Sequence, residues 1–186
     1  MECEAFSSER FSDMLGIFKL DKSAIQKVAG LPGYGQGVLY IAIASIITSL
    51  SQLAGTSAGG AITRIVMNII GGLIVAFIIL AIFHVIATVL GGKGKLNSLV
   101  NVYGHAMIVV SVIMLILSFV PVIGAAVSAL VGLWMLVVLI VTISTVYGLS
   151  TGKSAITVCL PVIILMAILA LIGFALVMAL FGMGAL

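Results

Sequence analysis

The chain has 186 residues, of which 63% are hydrophobic and 7% charged, with a formal net charge of +3, where a soluble domain carries about 25% charged residues. With a mean hydropathy of +1.47 there is too little polar surface to cover a particle in water, which excludes a water-soluble globule and makes the bilayer the solvent. So few basic residues also exclude a nucleic-acid patch.

All five acids (Glu2, Glu4, Glu9, Asp13 and Asp21) lie in the first 21 residues. Residues 1–36 hold no continuous apolar run, so no cleaved secretory signal is expected and the first span itself directs insertion. Phe11, Met14, Leu15 and Phe18 recur at i, i+3, i+4 and i+7, with Ser12, Asp13 and Lys19 elsewhere around the helix. This spacing predicts an amphipathic helix lying in the membrane interface, the alternative being a tail with chance apolar residues. A second short helix is expected to follow. Ser23 and Gln26 fit a capping box, Ile25 and Val28 give an apolar face, and Gly30 and Pro32 stop it. Cys3 and Cys159 fall on different sides of the polar/apolar boundary, so a disulfide between them would be geometrically awkward.

From Gly37 onward the hydropathy predicts five spans, at about 37–54, 61–90, 99–120, 123–149 and 155–182. The separators carry turn chemistry: Gly55–Gly60, Gly91–Lys95, Pro121 with Gly124, and Ser150–Lys153. The expected fold is therefore all-α: a polytopic integral membrane protein with residues 1–36 as a cytosolic or interfacial segment and residues 37–186 as a five-span helical bundle. At Pro121 the alternative is one kinked helix or a re-entrant pair, which would move the C-terminus to the other side. Basic residues set the orientation. Arg10, Lys19, Lys22, Lys27, Lys93, Lys95 and Lys153 fall on one side and Arg64 alone on the other, placing the N-terminus in the cytoplasm and the C-terminus outside. Tyr34, Tyr40, Tyr103 and Tyr147 then lie near the inner boundary, where such rings anchor.

Polar groups within spans need partners and are the functional candidates. His84 and His105 are expected at similar depth on helices joined by a short loop, with Asn101 and Asn97 preceding His105 at i−4 and i−8, and Thr88 one turn after His84. Two readings stand: interhelical hydrogen bonds, or a metal or proton-relay site. The second lacks an accompanying carboxylate or thiolate, so no metal is expected. Ser45, Thr48, Ser49 and Gln52 make a hydroxyl-rich stripe on span one. Arg64 and Asn68 lie at the outer start of span two, where Arg64 can snorkel to the headgroups. Gly124, Ser128 and Gly132 form a small-residue row suited to helix packing, with a shorter row at Ala175 and Ala179 and a close approach at Gly71 and Gly72.

Gly148 to Ser154 looks like a phosphate-binding loop, but it has three residues between its glycines where that loop needs four, and no strand precedes it. Metalloprotease and serine-hydrolase motifs are absent, and no span carries a carboxylate. No catalytic residue, cofactor or enzymatic activity is expected.

Four short motifs remain: Leu90-Gly91-Gly92-Lys93-Gly94, Val102-Tyr103-Gly104-His105-Ala106, Pro121-Val122-Ile123-Gly124 and Val146-Tyr147-Gly148-Leu149-Ser150. Through them the chain resembles the YIP (Ypt-interacting protein) membrane-domain family. That resemblance implies a cytosolic N-terminus and five spans. Eukaryotic members act in vesicle traffic with Rab-type GTPases, and carry a longer cytosolic region and an Asp-Leu-Tyr-Gly-Pro motif. This sequence has neither, is more similar to short prokaryotic members, and GTPase binding is not carried over. The expected function is membrane organisation or protein–protein interaction in the bilayer, with membrane lipids, further copies or other membrane proteins as partners. The rival is an oligomeric channel or small-solute permease using the polar residues of the spans.

Overall fold

A computed structural model of the chain describes residues 8–50 and 57–182, and among these every regular element is helical. Two short helices, α1 (Ser8–Phe18) and α2 (Lys22–Ala29), precede α3 (Gly35–Leu50), α4 (Ala58–Val89), α5 (Leu96–Leu117), α6 (Pro121–Tyr147) and α7 (Thr151–Gly182). Stretches within α4, α5, α6 and α7 are each long and apolar enough to cross a membrane. The described part of α3 is apolar but shorter, 16 residues, or about 24 Å at 1.5 Å per residue. The chain is an integral membrane protein.

The first two helices form a hairpin docked along the bundle. Met14 and Ile17 of α1 and Ile25 and Val28 of α2 are completely buried, while Phe11 stays 56% exposed. Ile17, Ile25 and Val28 pack with Val102 and Ala106 of α5 and Val138 of α6. The apolar face of α1 is thus turned largely onto protein. Asp21, not Ser23, caps α2: its carboxylate accepts from the Ser23 main-chain N–H at 2.8 Å, which puts Ser23 inside the first turn. The cap holds the Asp21 carboxyl below its ordinary range, chiefly through the Ser23 hydroxyl hydrogen bond. Gly30 ends the helix, its N–H donating to the Gln26 carbonyl.

α3 and α5 run side by side in the same direction and make the closest helix crossing. A Cβ on Gly37 would lie 2.5 Å from the Val100 carbonyl oxygen, and one on Gly104 would overlap the Gly37 carbonyl. Only glycine at both positions lets the backbones meet, and close packing is what holds helices together in lipid. The chain reverses at Ser118–Val120, with Pro121 opening α6 and Gly124 passing over the Leu117 carbonyl. α5 and α6 are therefore an antiparallel pair rather than one kinked helix.

Burial is uneven along the bundle. Toward the Lys93 end, Leu80, Phe83, Ala87, Leu99, Ile143 and Val158 form one tight core. Toward the Arg64 end, apolar residues such as Ile62, Met67 and Ile70 on α4, Leu130 on α6 and Ile163 and Leu171 on α7 face outward. Those surfaces suit acyl chains.

Candidate functional site

The polar residues gather at the Lys93 end, in two separate groups. Asn101 organises the first. Fully buried, it donates from Nδ2 to the carbonyls of Leu31 (3.2 Å) and Gly33 (3.0 Å) and accepts at Oδ1 from the Gly37 N–H (3.0 Å). One side chain thus ties the α2–α3 linker and the first turn of α3 to α5, satisfying an otherwise orphan N–H of that turn. Ser98 adds a 2.6 Å bond to the Ala29 carbonyl. His105, only 1% exposed, places Nδ1 2.7 Å from the Asn101 carbonyl oxygen and meets the Tyr40 ring edge-on at 4.4 Å.

His84 belongs to the second group. Its Nδ1 lies 2.7 Å from the Tyr147 hydroxyl, joining α4 to α6. The two imidazoles, expected at similar depth, engage different partners. Gly92 and Gly94 press on the Tyr147 ring, the Lys93 N–H donates to the Tyr147 carbonyl at 3.1 Å, and Lys153 Nζ donates to the Leu90 carbonyl at 3.0 Å.

The remaining candidates are dispersed. Thr88 is exposed and bonds back to the Val85 carbonyl. Asn97 lines a crevice of about 360 Å³ with Lys93, Lys95 and Ser98 beneath Gly30–Pro32. On α3, the hydroxyls of Ser45, Thr48 and Ser49 donate to carbonyls four residues back, and Asn68 donates to Ser49 Oγ at 3.0 Å across to α4. Arg64 is exposed at the start of α4. Gln52 lies outside the described residues. In the small-residue row Gly124 is buried at the hairpin, Ser128 is half-buried, and Gly132 faces open space.

A third arrangement has no precursor in the sequence pattern. Glu9, Arg10, Asp13, Lys27, Val28, Leu31, Gln36 and His105 line a cavity of about 260 Å³ between the hairpin, α3 and α5. At its mouth Lys27 Nζ bridges Glu9 and Asp13, at 2.9 Å from each. The Lys27 hydrogen bond holds the Glu9 carboxyl below its ordinary range, and the two carboxylates raise the Lys27 ammonium above its own. Arg10 is half-buried and, among the described residues, its guanidinium has no hydrogen bond or ion pair. At the base, the Gln36 Oε1 is buried and unpartnered. Glu9 and Asp13 at i, i+4 could be read from the sequence as one face of α1, but nothing there matches that face to Lys27, Gln36 and His105 on three other helices.

The motifs shared with the YIP family now have a spatial meaning. The Gly91–Gly94 loop wraps the Tyr147 ring, Gly148 closes α6 in the left-handed conformation at φ 65°, and Gly104 forms the α3–α5 crossing. A family model, the Yip1 domain, matches residues 23–184. The chain belongs to the Yip1 domain family. The Yip1 domain thus covers α2 to α7 with the hydrogen-bonded α2–α3 linker inside it, whereas α1 lies ahead of it. No curated protein and no solved structure matches the chain with significance.

Proposed function

We propose that this Yip1-domain protein is a non-enzymatic, five-crossing membrane protein, N-terminus cytoplasmic and C-terminus outside, that organises membrane or binds other membrane proteins through its Lys93 end. The observation that carries the reading is the assembly of that end. The α1–α2 hairpin is fixed to the bundle by Asn101, Ser98 and the apolar contacts of Ile17, Ile25 and Val28. Exposed Lys93, Lys95 and Lys153 ring the same end without a neighbouring acid in their loops, which suits the anionic inner leaflet. In this reading the fifth crossing runs through α3 (Gly35–Leu50).

Impermeant-maleimide labelling tests the arrangement on a chain whose cysteines are otherwise replaced by serine. A cysteine at Leu186 should react in intact cells and one at Lys95 only after permeabilisation. Protection of Leu186 in intact cells would overturn both the crossing number and the orientation. The channel or permease alternative draws less support, because the α3 hydroxyls bond to their own helix and His84 is held by Tyr147. A proton or ion flux in liposomes altered by His84→Ala or His105→Ala would reinstate it.

A further inference from the structure

The cavity beneath the hairpin presents a defined set of unmet hydrogen-bonding demands. Among the described residues that line it the formal charges balance, Glu9 and Asp13 against Arg10 and Lys27, so a net-neutral ligand fits better than a bare anion or cation. Lys27 is occupied by the two carboxylates, whereas Arg10 has, among the described residues, a planar fork of donors and no acceptor, the geometry that matches a phosphate or carboxylate. The base shows the opposite demand. Gln36 Oε1 is a buried acceptor without a donor. In the neutral His105 ring, Nδ1 must carry the proton it gives to the Asn101 carbonyl, which leaves Nε2 with a lone pair. The cavity thus asks for an oxyanion at Arg10 and for N–H donors at Gln36 and His105.

We propose that the cavity binds an ethanolamine phosphodiester, its phosphate on Arg10 and its primary ammonium on Gln36 Oε1 and His105, supplied either as a phospholipid headgroup or as the soluble glycerol ester. A trimethylammonium headgroup has the same net charge and no N–H, so it leaves the Gln36 acceptor unmet and is rejected. The proposal is independent of how many times the chain crosses the bilayer and of its orientation, so the labelling experiment above fails or succeeds separately.

The test uses the full chain in nanodiscs of choline phospholipid, titrated calorimetrically with glycerophosphoethanolamine and with glycerophosphocholine. In parallel, mass spectrometry of the intact protein measures which phospholipid is retained from mixed ethanolamine and choline nanodiscs. Ethanolamine should be preferred over choline by about tenfold or more; Arg10→Gln, which removes the contact to the phosphate that both headgroups share, should weaken binding, and Gln36→Leu should abolish most of the preference. Gln36→Glu, which keeps an acceptor facing the ammonium, should retain it, and unchanged Trp134 emission would show that each variant keeps the hairpin in place. Binding of the soluble ester identifies a site open to water. Retention of the ethanolamine phospholipid alone identifies the headgroup as the ligand. Equal affinity for the two headgroups, binding of neither, or an unchanged preference in Gln36→Leu would overturn the proposal.

Discussion

Replacing Asn101 by leucine should release the N-terminal hairpin while leaving the bundle helical. Three hydrogen bonds end on this amide. Gly37 is buried, so its N–H would be left without a partner at a cost of about 1–3 kcal/mol. Gly33 is exposed and Leu31 half-buried, so water can replace the amide there, and each lost bond costs only its net worth of about 0.5–1.5 kcal/mol. With each term in the lower half of its range the sum is about 3 kcal/mol, or roughly a hundredfold in the docking equilibrium. Trp134 reports the result directly. It is the only tryptophan of the chain, and its indole N–H donates to the Phe18 carbonyl at 3.0 Å, with the two rings 6.3 Å apart. Asn101→Leu should shift Trp134 emission, speed tryptic cleavage at Lys22 and Lys27, and lower the unfolding midpoint by about 6–12 °C at roughly 2–4 °C per kcal/mol. Asn101→Asp should not restore docking, because its second carboxylate oxygen would face two carbonyls. A leucine variant with unchanged emission, cleavage and midpoint would refute the role given to this side chain.

Gly104→Ala should lower the unfolding midpoint, since its Cβ would overlap the Gly37 carbonyl and overpacking costs about 1–3 kcal/mol, whereas Gly132→Ala, facing open space, should be silent. The carboxyl and ammonium groups of the hairpin itself should leave its closure, read by Trp134, flat through neutral pH. The lowered Glu9 and Asp21 groups contribute fully above their ordinary values of 4.5 and 3.8 and lose their contribution as pH falls through the still lower folded values. The raised Lys27 contributes fully below 10.5 and fades as pH rises through its higher folded value. Lys27→Gln should therefore weaken closure at neutral pH and remove the alkaline transition, leaving Asp21 to dominate the acid one. A double-mutant cycle of His84→Phe and Tyr147→Phe should return a coupling of about 0.5–1.5 kcal/mol in thermal unfolding, and additive single effects would show that the 2.7 Å contact contributes nothing.

Hydropathy was enough to read the long helices, because continuous apolar runs bounded by glycine and proline leave few alternatives in lipid. The boundaries of α4 to α7 fall within four residues of those expected at the described ends. Pairing was not legible. His84 and His105 matched in depth, but which face each turns depends on how α4 and α5 rotate against α3 and α6, and that is set by the Gly37–Gly104 crossing, which no four-residue small-residue row announces. The row that did stand out, Gly124 to Gly132, packs only at its first member. Likewise the spacing of Met14 and Phe18 showed an amphipathic α1 without showing that α5 would cover it. The cavity escaped notice because its residues come from four helices, each contributing side chains that look like ordinary solvated polar groups.

The two longest helices carry a consequence for where water begins. α4 and α7 have 32 residues each, about 48 Å, against a hydrocarbon layer of about 30 Å. Even a steep tilt of about 40° leaves several ångströms of each rod protruding. The charged Lys19, Asp21 and Lys22 follow Phe18, which touches Trp134 halfway along α6, and such groups belong among lipid headgroups. On the hairpin flank, then, water or headgroups must reach in toward this charged turn, whereas the overhanging turns of α4 and α7 stand clear of the oil elsewhere.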